Sequence, residues 1–544
     1  MLAIIFNLIS SMLIIPIFFS IIDSSYIANT TFNKIFDIAG INLIKNFDHA
    51  IIFALFIIIL SNLIILLSNV LKNYYQWHLI TSFKKRYFDL VANLNYEKFV
   101  NLSRSEFVKD MTAEIDRLVT GYYIPIQTLI TKIMFLFLCF IFLFLKNPTI
   151  ASITVICITL VYFFIFLLVK KKINEKGLFY KNLVNDIGYY SHVVIEHFKL
   201  MKIYNLSNAY NKLFDKNLRN VNKIQNYFGI IKLFPRFILE IIIFSSVLLV
   251  MYLFFINEND RNDVVFFFAV LGVCSYKLLP VVQDVFFNLT LSSQNKAVLN
   301  YIKKRFDFLE NNQLIKKNEN NFKLNFDTLE VKNLSFSYDK KEIIRKANIK
   351  FKIGKIYGFV GPSGSGKTTL MDILLGLFKA NLGEIIVGGK KIESEMLSAY
   401  QSKIGYCSHN PLLLNDTIRN NVIFFTENDD AKLKKSLEIA NLNKFIEKLE
   451  YGLETYIDDN LSSISAGEAQ RISLARTFYL DKKILILDEF TSNLDSQNEK
   501  ELLDNITKMR ENKIIIIVSH KNNPLEICDE VYQINDKQVD LKKK

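Results

Sequence analysis

Apolar residues in the first half of the chain come in blocks too long for strand alternation or for the one-sided stripe of a soluble helix. Six blocks, at 3–22, 51–71, 124–145, 150–169, 237–256 and 264–287, are nearly continuous, and about 20 such residues let a helix cross the ~30 Å hydrocarbon core of a bilayer. The first block lacks the positive n-region and small-residue cleavage site of a signal peptide, so it counts as a span. From Asn288 the apolar pattern ends, and a charged, Asn-rich stretch at 311–325 reads as a linker. Beyond it, short apolar runs bounded by glycine alternate with helical patterning. The expected organisation is therefore an all-α transmembrane domain over 1–290, a linker over 291–328 and an α/β domain over 329–544.

Polar residues between the blocks alternate between short and long segments. Two long ones, 72–123 and 170–236, carry twenty Lys and Arg residues up to Lys232, against four in the other loops. The positive-inside bias places these segments, both termini and the α/β domain in the cytoplasm. They are helical in pattern and nearly free of Pro and Gly. Each is expected to be two helices running out of the membrane and meeting in a turn, near 95–105 and 197–205. About 25 helical residues project ~37 Å. The outward loop at 23–46 has a partly one-sided apolar pattern, which fits either a short helix lying on the outer leaflet or an ordinary polar loop.

Composition adds little beyond this. The 544 residues are 51% hydrophobic, with 47 Phe and a net charge of +13. The densest basic clusters adjoin the spans, which argues for anionic lipid or substrate and against nucleic acid. The five cysteines are scattered without a CxxC, which disfavours structural disulfides and zinc. Ionisable residues inside spans are costly and point to function. Arg236 and Glu240 open the fifth span one turn apart, Lys277 and Asp284 lie in the sixth and Lys132 in the third. Arg236 is read either as the ion-pair partner of Glu240 or as a substrate contact, and Lys277 as a cation facing a water-filled substrate cavity.

The chemistry lies in the second half. Residues 361–369 read GPSGSGKTT between an apolar strand and an apolar helix. Gly361, Pro362, Ser363, Gly364, Ser365, Gly366, Lys367, Thr368 and Thr369 fit a loop whose backbone N–H groups cradle phosphate. Lys367 would reach the β- and γ-phosphates, and the Thr368 hydroxyl would bind Mg²⁺. The helix opening at Lys367 adds its positive end. Tyr338 ends an alternating strand, placed to stack on adenine. A buried strand at 484–487 delivers Asp488 to Mg²⁺ and sets Glu489 where it polarises the attacking water. Ser465 and Gly467 open a helix, an anion site with no phosphate loop beside it in sequence.

This ordered set resembles the ATPase of ABC transporters. GPSGSGKTT matches its Walker A, ISAGEAQR (464–471) its signature, ILILDE (484–489) its Walker B, SNLD (492–495) its D-loop and His520 its switch histidine. With six spans ahead, the chain resembles an exporter half-transporter. The resemblance implies ATP and Mg²⁺ as ligands, with Glu489, His520 and Lys367 in catalysis. It also implies a second half-transporter, a homodimer or a heterodimer, in which Ser465, Gly467 and Glu468 close the partner's ATP site. Three positions depart from the pattern. His409 stands where a glutamine is usual, and a neutral imidazole is a poor ligand for Mg²⁺. Glu468 replaces a glutamine and Ala466 a glycine. The family usually has a helix ahead of the block in which this chain begins.

For cargo, NYEKF (95–99), the outer stretch, PRFILE (235–240) and YKLLP (276–280) resemble PglK-type flippases of lipid-linked oligosaccharides in a bacterial inner membrane. Their substrate carries a pyrophosphate that calls for cations. A peptide or drug exporter shares every ATPase motif, and an ATP-gated regulatory or channel-like protein would need ATP binding without transport.

Overall fold

Long helices account for the first half of the chain. The computed structural model describes residues 47–100, 102–146, 148–256, 261–314, 324, 326–339, 341–458 and 464–542. The expected span at 3–22 and the outer stretch at 23–46 lie outside the described residues. The chain divides into a helical unit, Met1–Asn93 with Leu102–Asn312, and a second unit, Leu94–Asn101 with Gln313–Lys544.

Helix α1 (Phe47–Ala92) runs 46 residues. Ile52, Leu55, Phe56, Ile59, Leu63 and Leu66 are exposed along it, an arrangement unfavourable in water and suited to lipid. Where this apolar stretch ends, Tyr74, Tyr75 and Trp77 stand exposed, the aromatic belt of a membrane–water interface. After the short α2 (Tyr96–Val100) come α3 (Arg104–Lys109), α4 (Ile115–Leu118) and α5 (Ile124–Lys146), one helical run interrupted by π turns at Asp110–Glu114 and Val119–Tyr123. Then follow α6 (Pro148–Glu196), α7 (Phe198–Ile203), α8 (Ser207–Ile256) and α9 (Arg261–Asn311).

Two described helices, Ile51–Ala92 and Arg104–Ile141, are long and apolar enough to cross a membrane. The last three expected spans run through α6, α8 and α9, where many side chains lie outside those described, Arg236 and Lys277 among them. Those helices have 49, 50 and 51 residues, roughly 75 Å each and more than twice a bilayer core. The membrane domain was expected to end at 290, but α9 continues to Asn311. The fall in hydropathy at Asn288 marks the end of the apolar part, not of the helix. Beyond it Val298, Ile302 and Leu309 are buried at helical spacing.

The polar parts of these helices are fastened by buried ions. Tyr87 donates to Asp110 Oδ2 at 2.7 Å and Arg305 Nε to the same oxygen at 3.2 Å. Arg305 also lies 3.3 Å from Glu106, and Lys109 3.1 Å from the buried Glu114. Gly121 lies in the second π turn, where a Cβ would come within 2.6 Å of Asn295 Nδ2.

The second unit is α/β. Strands β1 (Thr328–Tyr338), β2 (Lys341–Lys352), β4 (Leu382–Val387) and β5 (Lys390–Lys391) form an antiparallel sheet of order β2-β1-β4-β5. A second sheet has the order β10-β9-β3-β8-β7-β6, from β3 (Ile356–Val360), β6 (Ile404–Cys407), β7 (Ile484–Asp488), β8 (Ile514–Val518), β9 (Glu530–Asn535) and β10 (Gln538–Lys542). It is parallel from β9 to β6. β7 and β8 are buried throughout, which is why ILILD and IIIIV read as continuous apolar runs. The segment Leu94–Asn101 belongs here: Leu94 bridges Gln313, and the Tyr96 ring meets Phe378.

Candidate functional site

In an open parallel sheet, ligands bind beyond the carboxyl ends of the strands. The order β3-β8-β7-β6 sets four such ends side by side. They carry the loop 361–369, Ser519 with His520, Asp488 with Glu489, and the turn holding His409.

The loop after β3 curls tightly into helix α10 (Lys367–Leu374). Gly366 has φ +104°, and a Cβ there would come within 2.8 Å of Ile343, so only glycine fits. Lys367 is buried and donates to the Gly361 and Pro362 carbonyls at 2.8 and 2.9 Å. Burial pushes its ammonium below the ordinary value, while Glu489 and Asp488 pull it back. The buried Ser365 hydroxyl oxygen has no hydrogen-bond partner. An unmatched hydroxyl, a cation curled over the loop and a helix N-terminus fit a phosphate group.

Carboxylates crowd the other side. Asp488, at the end of β7, is raised by burial and by Glu489, and lowered by His409, Lys367 and a hydrogen bond from Tyr406. The Asp372 carboxyl of α10 is pushed up to about 6 by burial and the charge of Asp488. Acids of like charge held together suit a hard, oxygen-seeking cation such as Mg²⁺, and the Thr368 side chain in the first turn of α10 is exposed.

Glu489 has φ +48°, an uncommon conformation for a residue with a side chain, and its N–H donates to Val518 O at 2.9 Å. His520 Nε2 lies 3.3 Å from Glu489 Oε1. His409, expected as a doubtful metal ligand, places Nδ1 3.4 Å from Glu489 Oε2. The His409 turn is fastened from behind, where the buried Gln470 donates to Ser408 O at 3.1 Å. Tyr338 is partly exposed, its ring edge-on to Phe336 and Phe378 at 4.9 and 5.5 Å.

Ser465 caps helix α11 (Ala466–Tyr479) in a reciprocal box with Glu468. Ser465 N–H and Oγ donate to Glu468 Oε2 at 2.8 and 2.7 Å, and Glu468 N–H donates back to Ser465 Oγ at 3.3 Å. A Cβ on Gly467 would lie 2.6 Å from Asn493 O, so the signature and SNLD segments touch. Among the described residues, no hydrogen bond or ion pair joins Ser465 or Glu468 to the loop 361–369.

Sequence reading missed two features. Gln470 gave no signal, because a glutamine on a helix becomes informative only once its buried partner is known. In the helical unit, Lys132 pairs with Asp284 at 2.7 Å, both half-buried. Lys72 donates to Thr128 and is close enough to feel both of those charges. Two lysines and one aspartate thus meet in the apolar helices.

A phosphate loop, an acidic pair and a histidine lie at adjacent ends of the parallel strands β3, β8, β7 and β6, a site suited to a nucleoside triphosphate. The chain has the fold of an ABC exporter. Residues 344–492 match the ABC transporter family model. A bacterial Atm1-family ABC exporter solved with ATP bound superposes with a TM-score of 0.80 at 16% identity, over 99% of this chain and 93% of that one. The ATP-dependent lipid A-core flippase of Photorhabdus laumondii is 34% identical over 215 residues, 39% of this chain and 37% of that protein. That of Syntrophus aciditrophicus is 31% identical over 206 residues, 38% and 34% of the two chains. The chain thus matches little more than a third of the length of these relatives.

Proposed function

We propose that the chain is one half of an ATP-driven flippase in a bacterial inner membrane, moving an anionic, lipid-linked substrate. The observation that carries the ATPase is the convergence of Lys367, Asp488, Glu489 and His520 on adjacent strand ends. The cluster of Lys72 and Lys132 about Asp284 supports the cargo class. Its excess positive charge among apolar helices suits a lipid that carries phosphate. The lipid A-core flippases matched by the ATPase region move a substrate of that kind, and a lipid-linked oligosaccharide is another.

In this reading the loop N–H groups and Lys367 bind the β- and γ-phosphates, and Tyr338 stacks on adenine. Thr368 and Asp488 hold Mg²⁺, which would neutralise charge on the phosphates. Glu489 polarises the attacking water, with His520 steadying its carboxylate. The signature segment has no phosphate loop of its own, so Ser465, Gly467 and Glu468 close the site of a second copy, and the working unit is a homodimer. The ATPase unit and the basic helix ends are cytoplasmic. The domains are then 1–93 with 102–312, and 94–101 with 313–544.

Reconstitution tests this. In proteoliposomes with ATP and Mg²⁺, a fluorescent lipid-linked oligosaccharide or lipid A should cross and Glu489→Gln should stop it. Transport of a peptide while both lipids stay in place would make the chain a peptide exporter. ATP binding without transport of any of them would make it a regulatory or channel-like protein.

A further inference from the structure

We infer that His409 is a positioning residue for Glu489, holding the carboxylate on the side away from His520, and is not a ligand of Mg²⁺. The inference rests on the ATPase reading above, in which Glu489 polarises water.

Each imidazole addresses a different oxygen. His520 Nε2 lies 3.3 Å from Oε1 and His409 Nδ1 3.4 Å from Oε2. A carboxylate held at one oxygen still swings about that contact, whereas one held at both has a fixed plane. Fixing is needed here. Glu489 leaves the strand in a left-handed conformation, and its neighbour Asp488 carries the same charge. Among the described residues, Lys367 and Asp488 carry charge near enough to interact with it. Lys367 is turned to two loop carbonyls, which leaves the two imidazoles as the side chains beside the carboxylate oxygens. A general base must keep its lone pair on the water, and an imidazole beside each carboxylate oxygen limits the swing of its plane.

The ring nitrogen facing Glu489 cannot also bind metal, and imidazole is a poor match for a hard cation that takes oxygen ligands. The backbone behind His409 is tied to α11 through Gln470 and Ser408 O, and the buried Cys407 before it lies 3.7 Å from Ser473 Oγ on the same helix. Movement of the signature helix therefore reaches Glu489 through His409. The aim of the base depends on the helix that meets the partner's nucleotide.

The test uses the full-length protein in proteoliposomes. His409→Ala should lower kcat by about tenfold or more with little change in KM for ATP or in the Mg²⁺ concentration giving half activity. His409→Asn, whose Nδ2 occupies nearly the place of the imidazole Nδ1, should restore most of the loss. In single-turnover measurements on Glu489→Gln, adding His409→Ala should cost less than about twofold, because the group it positions has gone. Unchanged binding of a fluorescent ATP analogue checks that the variants are folded. Three results would overturn the inference: unchanged kcat in His409→Ala, a loss recovered by raising Mg²⁺, or a full further loss in the double variant. If Glu489→Gln alone keeps full turnover, the ATPase assignment itself falls, an outcome separate from those three.

Discussion

The ring of Tyr96 meets the ring of Phe378 edge-on, with centroids 5.6 Å apart and planes at 76°. Phe378 in turn stands edge-on to Tyr338 at 5.5 Å. The turn between α1 and α3 is thus one ring away from the residue proposed to stack on adenine. Such pairs contribute about 0.5–1.5 kcal/mol each. Tyr96→Ala should therefore leave basal ATP turnover within about twofold of wild type, yet abolish its stimulation by cargo and the transport itself. Paired assays of phosphate release and lipid translocation check this; equal losses in both would show that the contact only supports folding.

Glu468 takes the place of a glutamine and completes the cap on α11. A glutamine at that position caps in the same way. Glu468→Gln should hold the melting temperature, whereas Glu468→Ala should lower stability by about 1 kcal/mol. Removing the carboxylate from the Ser465 hydroxyl should also lower KM for ATP in the glutamine variant. Thermal unfolding of the purified protein and steady-state kinetics separate the two effects.

Asp284 offsets part of the charge of Lys132 and Lys72. Asp284→Asn should strengthen stimulation of the ATPase by an anionic lipid, and Lys132→Met should weaken it. Both changes should be absent with a zwitterionic lipid. Titrating lipid into nanodiscs and following ATP turnover reads the sign directly.

The Asp372 carboxyl, pushed up to about 6 by burial and Asp488, makes nucleotide-free stability depend on pH. Between its ordinary value near 4 and 6 the folded state binds the extra proton, so stability falls as pH rises through that window. Asp372→Asn removes the penalty. After solvent screening it should gain about 1 kcal/mol at pH 7.5 and nothing near pH 4. Melting temperatures across that range check the crossover.

Gly121→Val should destabilise the helical unit by about 1–3 kcal/mol, since its side chain must displace Asn295 from a packed interface. Gly188→Ala serves as the control, because no neighbour lies within 4 Å of a Cβ there. Detergent-solubilised melting curves of the two variants should diverge.

The parts legible in the sequence are those whose chemistry demands contiguous residues. A phosphate loop needs its glycines, lysine and threonine within one turn, and a spanning helix needs an unbroken apolar run. Both stand out without any knowledge of neighbours. The hold of His409 on Glu489, the Lys132–Asp284 pair and the Tyr87–Asp110–Arg305 knot each join residues far apart in the chain, and no local period announces them. The end of the last long helix was hidden for a related reason. Hydropathy records the medium around a helix, whereas α9 continues because its backbone hydrogen bonds and buried Val298, Ile302 and Leu309 do not depend on lipid.

The strand order has a consequence for biosynthesis. β3, which carries the phosphate loop, is flanked by β8 and β9, both of which lie more than 150 residues further along the chain. At translation rates of about 5–20 residues per second the loop emerges on the order of ten seconds before its neighbours exist. The long helices precede it and leave the ribosome first. The phosphate loop thus stays without its flanking strands until β8 and β9 have been made.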